Sequence, residues 1–444
     1  MLERVIQALE SQRGVDDWLV RHVRNESTQY YLAREWPENQ RTAQVELFEV
    51  EVYNDHPAAQ SGQPSRGSAS LTLLPGEDPQ SGERIQEAVF MAGLTDNPPY
   101  GLPGPAVYPR VLTADRRLQA EPAHVAGELG QQILAAIAEE PTLSLASAEA
   151  FVDRRMVALY NSRGIQAQQE GTSLLLDFVL LATDPATGHE TEAHVEVRRR
   201  ALQTLDLPAL VRCQARFARD TLQAREPDTG RFPVIISDDA LRDFLTGMFT
   251  SPIAFRSSAE FKYQGLSPWE IGQSIFGDLE PTGDPLTVYA NAILPWGVRS
   301  ASFDRDGLPG QRLLVIENGV LRNFWATHRY AQYLKVPPTG AFGNLEILPG
   351  SMAVADMWRD DSPLYHIVAF SSLSPDPVTG NFVGEIRLGY QRRGDQFFPI
   401  KGGSLSGNLF GDLATARLSQ ETVFLGNYLG PQAVYFPSLT VSGG

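Results

Sequence analysis

Apolar positions along the chain follow two different spacings. In MLERVIQALESQRGVDDWL, Leu2, Val5, Ile6 and Leu9 recur at helical intervals and predict an amphipathic helix over residues 1–25. AQVELFEVEV (44–53) alternates instead, with Val45, Leu47, Val50 and Val52 among polar neighbours, and predicts a strand. The polar NDHPAAQSGQPSRGSAS that follows (54–70) predicts a loop. Helices are predicted over 83–94, 125–139 and 208–224, the last with Leu210, Val211, Phe217, Ala218 and Leu222 on one face. NPPYGLPGPAVYP (97–109) holds five prolines in 13 residues, too many for a regular element. Residues 156–183 predict short strands with a turn at Asn161–Gly164.

From residue 285 onward, glycine and proline punctuate short apolar runs, the habit of an antiparallel sheet or barrel. In RLLVIENGVLRNFWA, Asn318-Gly319 lies between two such runs and predicts a tight hairpin. The turn-forming EPDTGRF (226–232) marks a linker. The expected fold is α+β with two domains: a mixed α/β domain over 1–225 and a β-rich, barrel- or sandwich-like domain over 226–444.

Composition narrows the function classes. The 444 residues are 42% hydrophobic and 20% charged, an ordinary globular mixture. A formal charge of −16 repels a phosphate backbone, and Arg198-Arg199-Arg200 is the longest basic cluster, so no nucleic-acid partner is expected. No apolar run approaches the roughly 18 residues of a membrane span. With no signal-like N-terminus and a single cysteine, Cys213, a cytoplasmic location without membrane contact is expected.

One short stretch offers chemistry. HETEAH places His189, Glu190 and His194 in the spacing H-E-x-x-x-H, which could supply two zinc ligands and a general base. On an ideal helix, residues five apart diverge by about 140° around the axis, so both imidazoles reach one ion only where a helix is interrupted. The surroundings predict a hairpin arm instead: DPATG is a turn, and Val195 and Val197 alternate with Glu196 and Arg198. On a strand, side chains five apart face opposite sides. The expectation is therefore no catalytic and no metal-binding residue in this chain, with Glu190 as base and His189 and His194 as ligands kept as the alternative.

A resemblance covers the C-terminal half. FDRDGLPGQRLLVIENGVLRNFWATHRYAQYL (303–334), SPDPVTGNFVGEIRLGYQ (374–391), PIKGGSLSGNLFGDL (399–413) and the closing FPSLTVSGG resemble, in matching order, phrases of the TldD/PmbA proteins, and YNSRGIQAQQEGT (160–172) resembles a phrase of their N-terminal half. That family is known as modulators of DNA gyrase and as zinc metalloproteases of two subunits. The resemblance implies that the zinc subunit, TldD, carries H-E-x-x-x-H on the helix after a strand entering the C-terminal half, and a late cysteine ligand; the other subunit, TldE or PmbA, lacks both. Here PVIIS (233–237) matches the entering strand, but DDALRDFLTGMF (238–249) holds no histidine and VFLGNYLGPQAVYF (423–436) no cysteine. Asp306 also stands where the family has glutamate in F-D-x-E-G.

The resemblance thus implies a non-catalytic TldE/PmbA-like subunit with no cofactor of its own, a zinc-bearing TldD-like partner, and an extended peptide as substrate. Asp304, Asp306, Gly307, Gly380, Gly407 and Asn408 are its family-motif positions, structural or lining a peptide cavity. His328 and His366 are expected to be ordinary, partly buried histidines with hydrogen-bond partners. The competing expectations are a self-sufficient zinc peptidase and a peptide-binding scaffold outside any protease.

Overall fold

The computed structural model describes residues 1–443 apart from 78–80, 139, 141, 248–250 and 360–362. Its first half is built on a six-stranded antiparallel sheet of β1 (Asp17–Ala33), β2 (Trp36–Pro57), β3 (Pro64–Leu73), β4 (Leu143–Asn161), β5 (Gln166–Thr183) and β6 (Glu190–Arg199), in the order β3-β2-β1-β4-β5-β6. The helices of this half are α1 (Leu2–Ser11), α2 (Ser81–Ala92), α3 (Arg116–Ala120), α4 (Pro122–Ile137) and α5 (Leu207–Leu222).

Strand periodicity assigns the two faces. On β1, Trp18, Val20 and Leu32 share the face covered by helices, with Val5 and Leu9 of α1 and Ile85 of α2 at one end and Val125, Leu129 and Ile133 of α4 and Val211 of α5 at the other. Leu19 and Val23 point to the opposite face, where they pack with Leu159, Tyr100 and Phe303. That second face receives the C-terminal half.

Residues 93–115 have no regular element until α3 begins. The proline-rich part runs as a strap along the seam between the halves. The Asn161 side chain donates to the Pro103 carbonyl at 2.8 Å, Tyr108 Oη to the Gly307 carbonyl at 3.1 Å, and Tyr333 Oη to the Pro98 carbonyl at 2.7 Å.

The C-terminal half contains two sheets. In chain order it has β7 (Gly230–Ser237), α6 (Asp238–Thr246), α7 (Pro252–Arg256), α8 (Ala259–Tyr263), β8 (Val288–Asn291), β9 (Arg312–Glu317), β10 (Val320–Leu321), α9 (His328–Leu334) and β11 (Asn344–Ile347). Then come β12 (Leu364–Pro375), β13 (Asn381–Arg393), β14 (Gln396–Ile400), β15 (Ser404–Asn408), α10 (Leu409–Leu413), β16 (Arg417–Leu418), β17 (Thr422–Phe424), β18 (Tyr428–Pro431) and β19 (Ala433–Ser442). One sheet runs β10-β9-β8-β11-β18-β17; the other runs β12-β7-β19-β15-β13-β14, and a β12–β13 pairing closes five of its strands into a barrel. Phe244 of α6 packs edge-on to Phe382 and Phe436, so this helix seals the barrel.

The α+β class and the barrel-like C-terminal half are as expected. Asn318 and Gly319 both have positive φ, 50° and 76°, the requirement of the two-residue hairpin turn. Three local expectations are corrected. Helix 1–25 stops at Ser11, and 17–25 is strand; Trp18, Leu19 and Val20 are buried on both faces, which erases the alternation that marks a strand. The loop expected over 54–70 is mostly strand, with Pro57 paired to Pro64 across a short turn, because polar side chains suit an edge open to water. The strands around Asn161–Gly164 are long rather than short, at 19 and 18 residues.

Candidate functional site

HETEAH lies on the β5–β6 hairpin. His189 closes the turn, its carbonyl accepting from the Asp184 amide at 2.8 Å, and β6 starts at Glu190. Burial alternates strictly along β6: Thr191, Ala193, Val195 and Val197 are buried, while Glu190, Glu192, His194, Glu196 and Arg198 are exposed. Glu190 accepts from Thr183 Oγ1 at 3.1 Å, and His194 Nε2 is 3.0 Å from Asp177 Oδ1. Glu190 and His194 thus share a face, and His189 sits in the turn. Among the described residues, no three His, Cys, Asp or Glu side chains are gathered so that they could hold a metal ion.

The segment that resembles the family's zinc helix is α6. Ala240, Leu241, Phe244 and Leu245 point into the core; Met248, one helical step further on, lies outside the described residues. The other face carries a charge ladder, with Arg242 Nη1 at 2.7 Å from Asp239 and Nη2 at 2.9 Å from Asp243. Burial pushes the Asp243 carboxyl up, against the pull of Arg242.

This face borders a cleft of about 450 Å³. One wall is β6, through His194, Glu196 and Arg198; another is α6, through Arg242, Asp243 and Thr246. Val298 and Arg299, Phe370–Leu373 of β12 and the turn Leu425–Asn427 complete it. The register of β12 against β13 slips between Ile367 and Ser372, a stretch that overlaps the cleft-lining residues Phe370–Ser372. The cleft therefore lies between the two segments where the resemblance places the zinc ligands. Its donors do not fit zinc: the lining holds one histidine and no thiolate, the Arg242 guanidinium bridges the carboxylates of α6, and among the described residues no three ligands converge.

The family-motif positions are elsewhere. Asp304 Oδ1 accepts from the amides of Asp306, Gly307 and Leu308 at 3.0, 2.9 and 2.8 Å, which folds FDRDG into a tight loop. Burial, reinforced by Asp306, pushes Asp304 up to about 7. Asp306 is raised by burial too, against the charges of His328 and Arg305. Gly307, with φ 98°, presses so closely on the N-terminal sheet that a Cβ would lie 2.7 Å from Ile165 Cδ1.

At the barrel mouth, Asn408 caps α10 by accepting from the Gly411 amide at 3.0 Å, and it donates to the Thr379 carbonyl at 3.0 Å. Gly380, with φ 82°, leaves room for Phe410, and Gly407 pairs with Phe382 across β15 and β13. Asp304, Asp306 and Gly307 are thus a joint at the seam, and Gly380, Gly407 and Asn408 a joint in the barrel. None lines the cleft.

His366 has a partner, Ser237 Oγ at 2.8 Å, and burial pushes it down to about 4. His328 differs from expectation: its buried Nδ1 has no hydrogen-bond partner, and burial lowers its pKa. Cys213 is half-buried on α5, its thiol pushed up by burial. Sequence reading missed Arg242 and Arg299 as cleft residues, since no local motif links segments that far apart.

With this geometry in place, comparison with known proteins is informative. Over its whole length the chain superposes on the structure of TldE from Thermococcus kodakarensis with a TM-score of 0.81 at 18% identity, covering 100% of both chains. A Thermotoga maritima protein described as a modulator of DNA gyrase superposes with a TM-score of 0.80 at 17% identity, again over 100% of both. The fold is that of these two proteins. The profile of the PmbA/TldA metallopeptidase C-terminal domain matches residues 229–443. Residues 229–443, just under half of the chain, therefore carry the C-terminal domain of that metallopeptidase family. A protein of Methanocaldococcus jannaschii is 25% identical over 218 residues, 46% of this chain and 49% of that one. A zinc metalloprotease TldD homolog of Saccharolobus solfataricus is 24% identical over 210 residues, 43% and 44% of the two. The chain spans about half the length of these relatives.

Proposed function

We propose that this chain is a non-catalytic, TldE/PmbA-like subunit of a cytoplasmic two-subunit zinc metalloprotease, in which it pairs with a TldD-like chain and helps enclose an extended peptide. One observation carries the reading. The exposed face of α6 presents Asp239, Arg242 and Asp243 as a closed ion-pair ladder, at the place where the resemblance puts two imidazoles and a glutamate in the zinc subunit. A guanidinium held between two carboxylates leaves no room for a cation there. The full-length likeness to TldE supports the same assignment.

The zinc in this reading belongs to the partner, where it would activate water for peptide hydrolysis. The role of this chain is to bind and orient. The test is to purify the chain alone and together with a TldD-like protein from the same host, then measure zinc content and peptidase activity. Expected are no stoichiometric zinc and no turnover for the chain alone, with both appearing in the complex. Stoichiometric zinc in the chain alone, lost in His194→Ala, would overturn the reading in favour of the HETEAH peptidase. Failure to associate with any TldD-like chain would favour a stand-alone scaffold.

A further inference from the structure

The cleft beside β6 carries a charge that its own walls leave uncancelled. Of the three arginines lining it, Arg198 is paired with Glu196 at 2.9 Å and Arg242 with Asp239 and Asp243. The side chain of Arg299 has neither an ion pair nor a hydrogen bond among the described residues; only its backbone amide is engaged, donating to Asn344 Oδ1 at 3.0 Å. Partial withdrawal from water lowers its pKa, and no acid lies within ion-pair distance among the described residues. Arg299 is exposed on the cleft wall, so in a chain of formal charge −16 its guanidinium is open to an anion from outside.

The rest of the cleft suits a peptide. β6 is the outermost strand of its sheet, so alternate main-chain donors and acceptors face away from β5. Val298, Phe370, Leu373 and Leu425 supply apolar surface around Arg299. A volume of about 450 Å³ is near the low end of ligand pockets, roughly 300–1,000 Å³. That accommodates the end of a chain better than a chain passing through.

We propose that the cleft holds the C-terminal end of an extended peptide, its main chain added along β6 and its terminal carboxylate paired with Arg299. The geometry joins two recognised modes of peptide capture, strand addition at a sheet edge and a charge that holds a chain terminus. A guanidinium can meet a carboxylate through two parallel hydrogen bonds, which gives direction as well as affinity. The inference rests on the peptide-binding role proposed above and adds the polarity of the bound peptide.

The test is fluorescence titration of the full chain, alone and with its TldD-like partner, using a dansylated Thr/Val peptide as the free acid and as the C-terminal amide. Expected is about tenfold tighter binding of the acid, a preference that Arg299→Gln removes and Arg299→Lys partly restores, with amide affinity unchanged. The Arg299 side chain packs no core, and circular dichroism checks that the variants fold. Equal affinity of the native protein for acid and amide, or a preference surviving Arg299→Gln, overturns the carboxylate assignment while leaving peptide binding intact. Binding of neither peptide, in the chain or in the complex, overturns the peptide-binding role and this inference with it.

Discussion

Arg200 Nε donates to the Gly297 carbonyl at 2.8 Å, joining the end of β6 to the loop that carries Arg299. The same guanidinium donates to the Val298 and Ser300 carbonyls at 2.9 and 3.0 Å. Among the described residues no carboxylate pairs with it, and burial pushes its pKa down to about 10, so carbonyl dipoles hold the charge.

Truncation at this position removes three hydrogen bonds to carbonyls at once. Arg200→Ala is expected to destabilise the protein by about 3 kcal/mol, the scale of losing several bonds to a charged donor. Urea denaturation of the two proteins measures it, and an unchanged midpoint would mean that the halves are held by other contacts.

Asp304 sets a pH dependence. Its folded pKa of about 7 lies above the ordinary 3.8, so the folded state binds its proton more tightly than the unfolded chain does. The stability it contributes is complete below about pH 4 and is lost as pH rises toward 7. The ceiling is about 4 kcal/mol, and screening at this partly exposed residue brings the expected effect nearer 1–2 kcal/mol. Asp304→Asn keeps the acceptor for three amides and should flatten this part of the curve. Denaturation midpoints at about pH 5 and pH 8 decide it: a difference equally large in wild type and variant would assign the slope to other groups.

Gly380→Ala meets two obstacles, a φ of 82° and a Cβ only 2.6 Å from Phe410 Cδ2. A loss of about 2–3 kcal/mol is expected from backbone strain and displaced packing. Thermal melts report it; a change under about 0.5 kcal/mol would show that the turn has slack.

Glu190→Gln tests HETEAH from the opposite side. The residue is exposed at the end of a hairpin, and its side chain accepts from Thr183 Oγ1. Stability is expected to move by less than about 0.5 kcal/mol and the zinc content of the complex not at all. Loss of metal in this variant would return the motif to the chemistry.

The sequence made visible whatever is specified locally. Asn318-Gly319 needs only its own φ angles, and α4 needs only apolar residues every fourth position, so both could be read directly. The HETEAH hairpin was legible for the same reason, through DPATG and the alternation after it. Trp18–Val20 misled because burial on both faces looks alike in helix and strand. Closure of the barrel by β12 and β13, through a register that slips three times, leaves no periodic trace. The cleft was hidden for a further reason. Its lining reaches from His194 to Asn427, and its distinguishing property, an arginine without an acid, is defined by what three-dimensional packing fails to bring near.

The proline strap decides what sort of joint connects the halves. A segment confined between a sheet and a second body must normally find an acceptor for every amide, which invites it to become another strand. Prolines at five of 13 positions remove that many donors, and their fixed φ limits the shapes open to the rest. The strap behaves as a gasket: it fills the seam without hydrogen-bonding along it as a ladder would, and it resists the shear by which one half could slip past the other. The internal seam of this chain is thereby held closed, and the two halves move as one body.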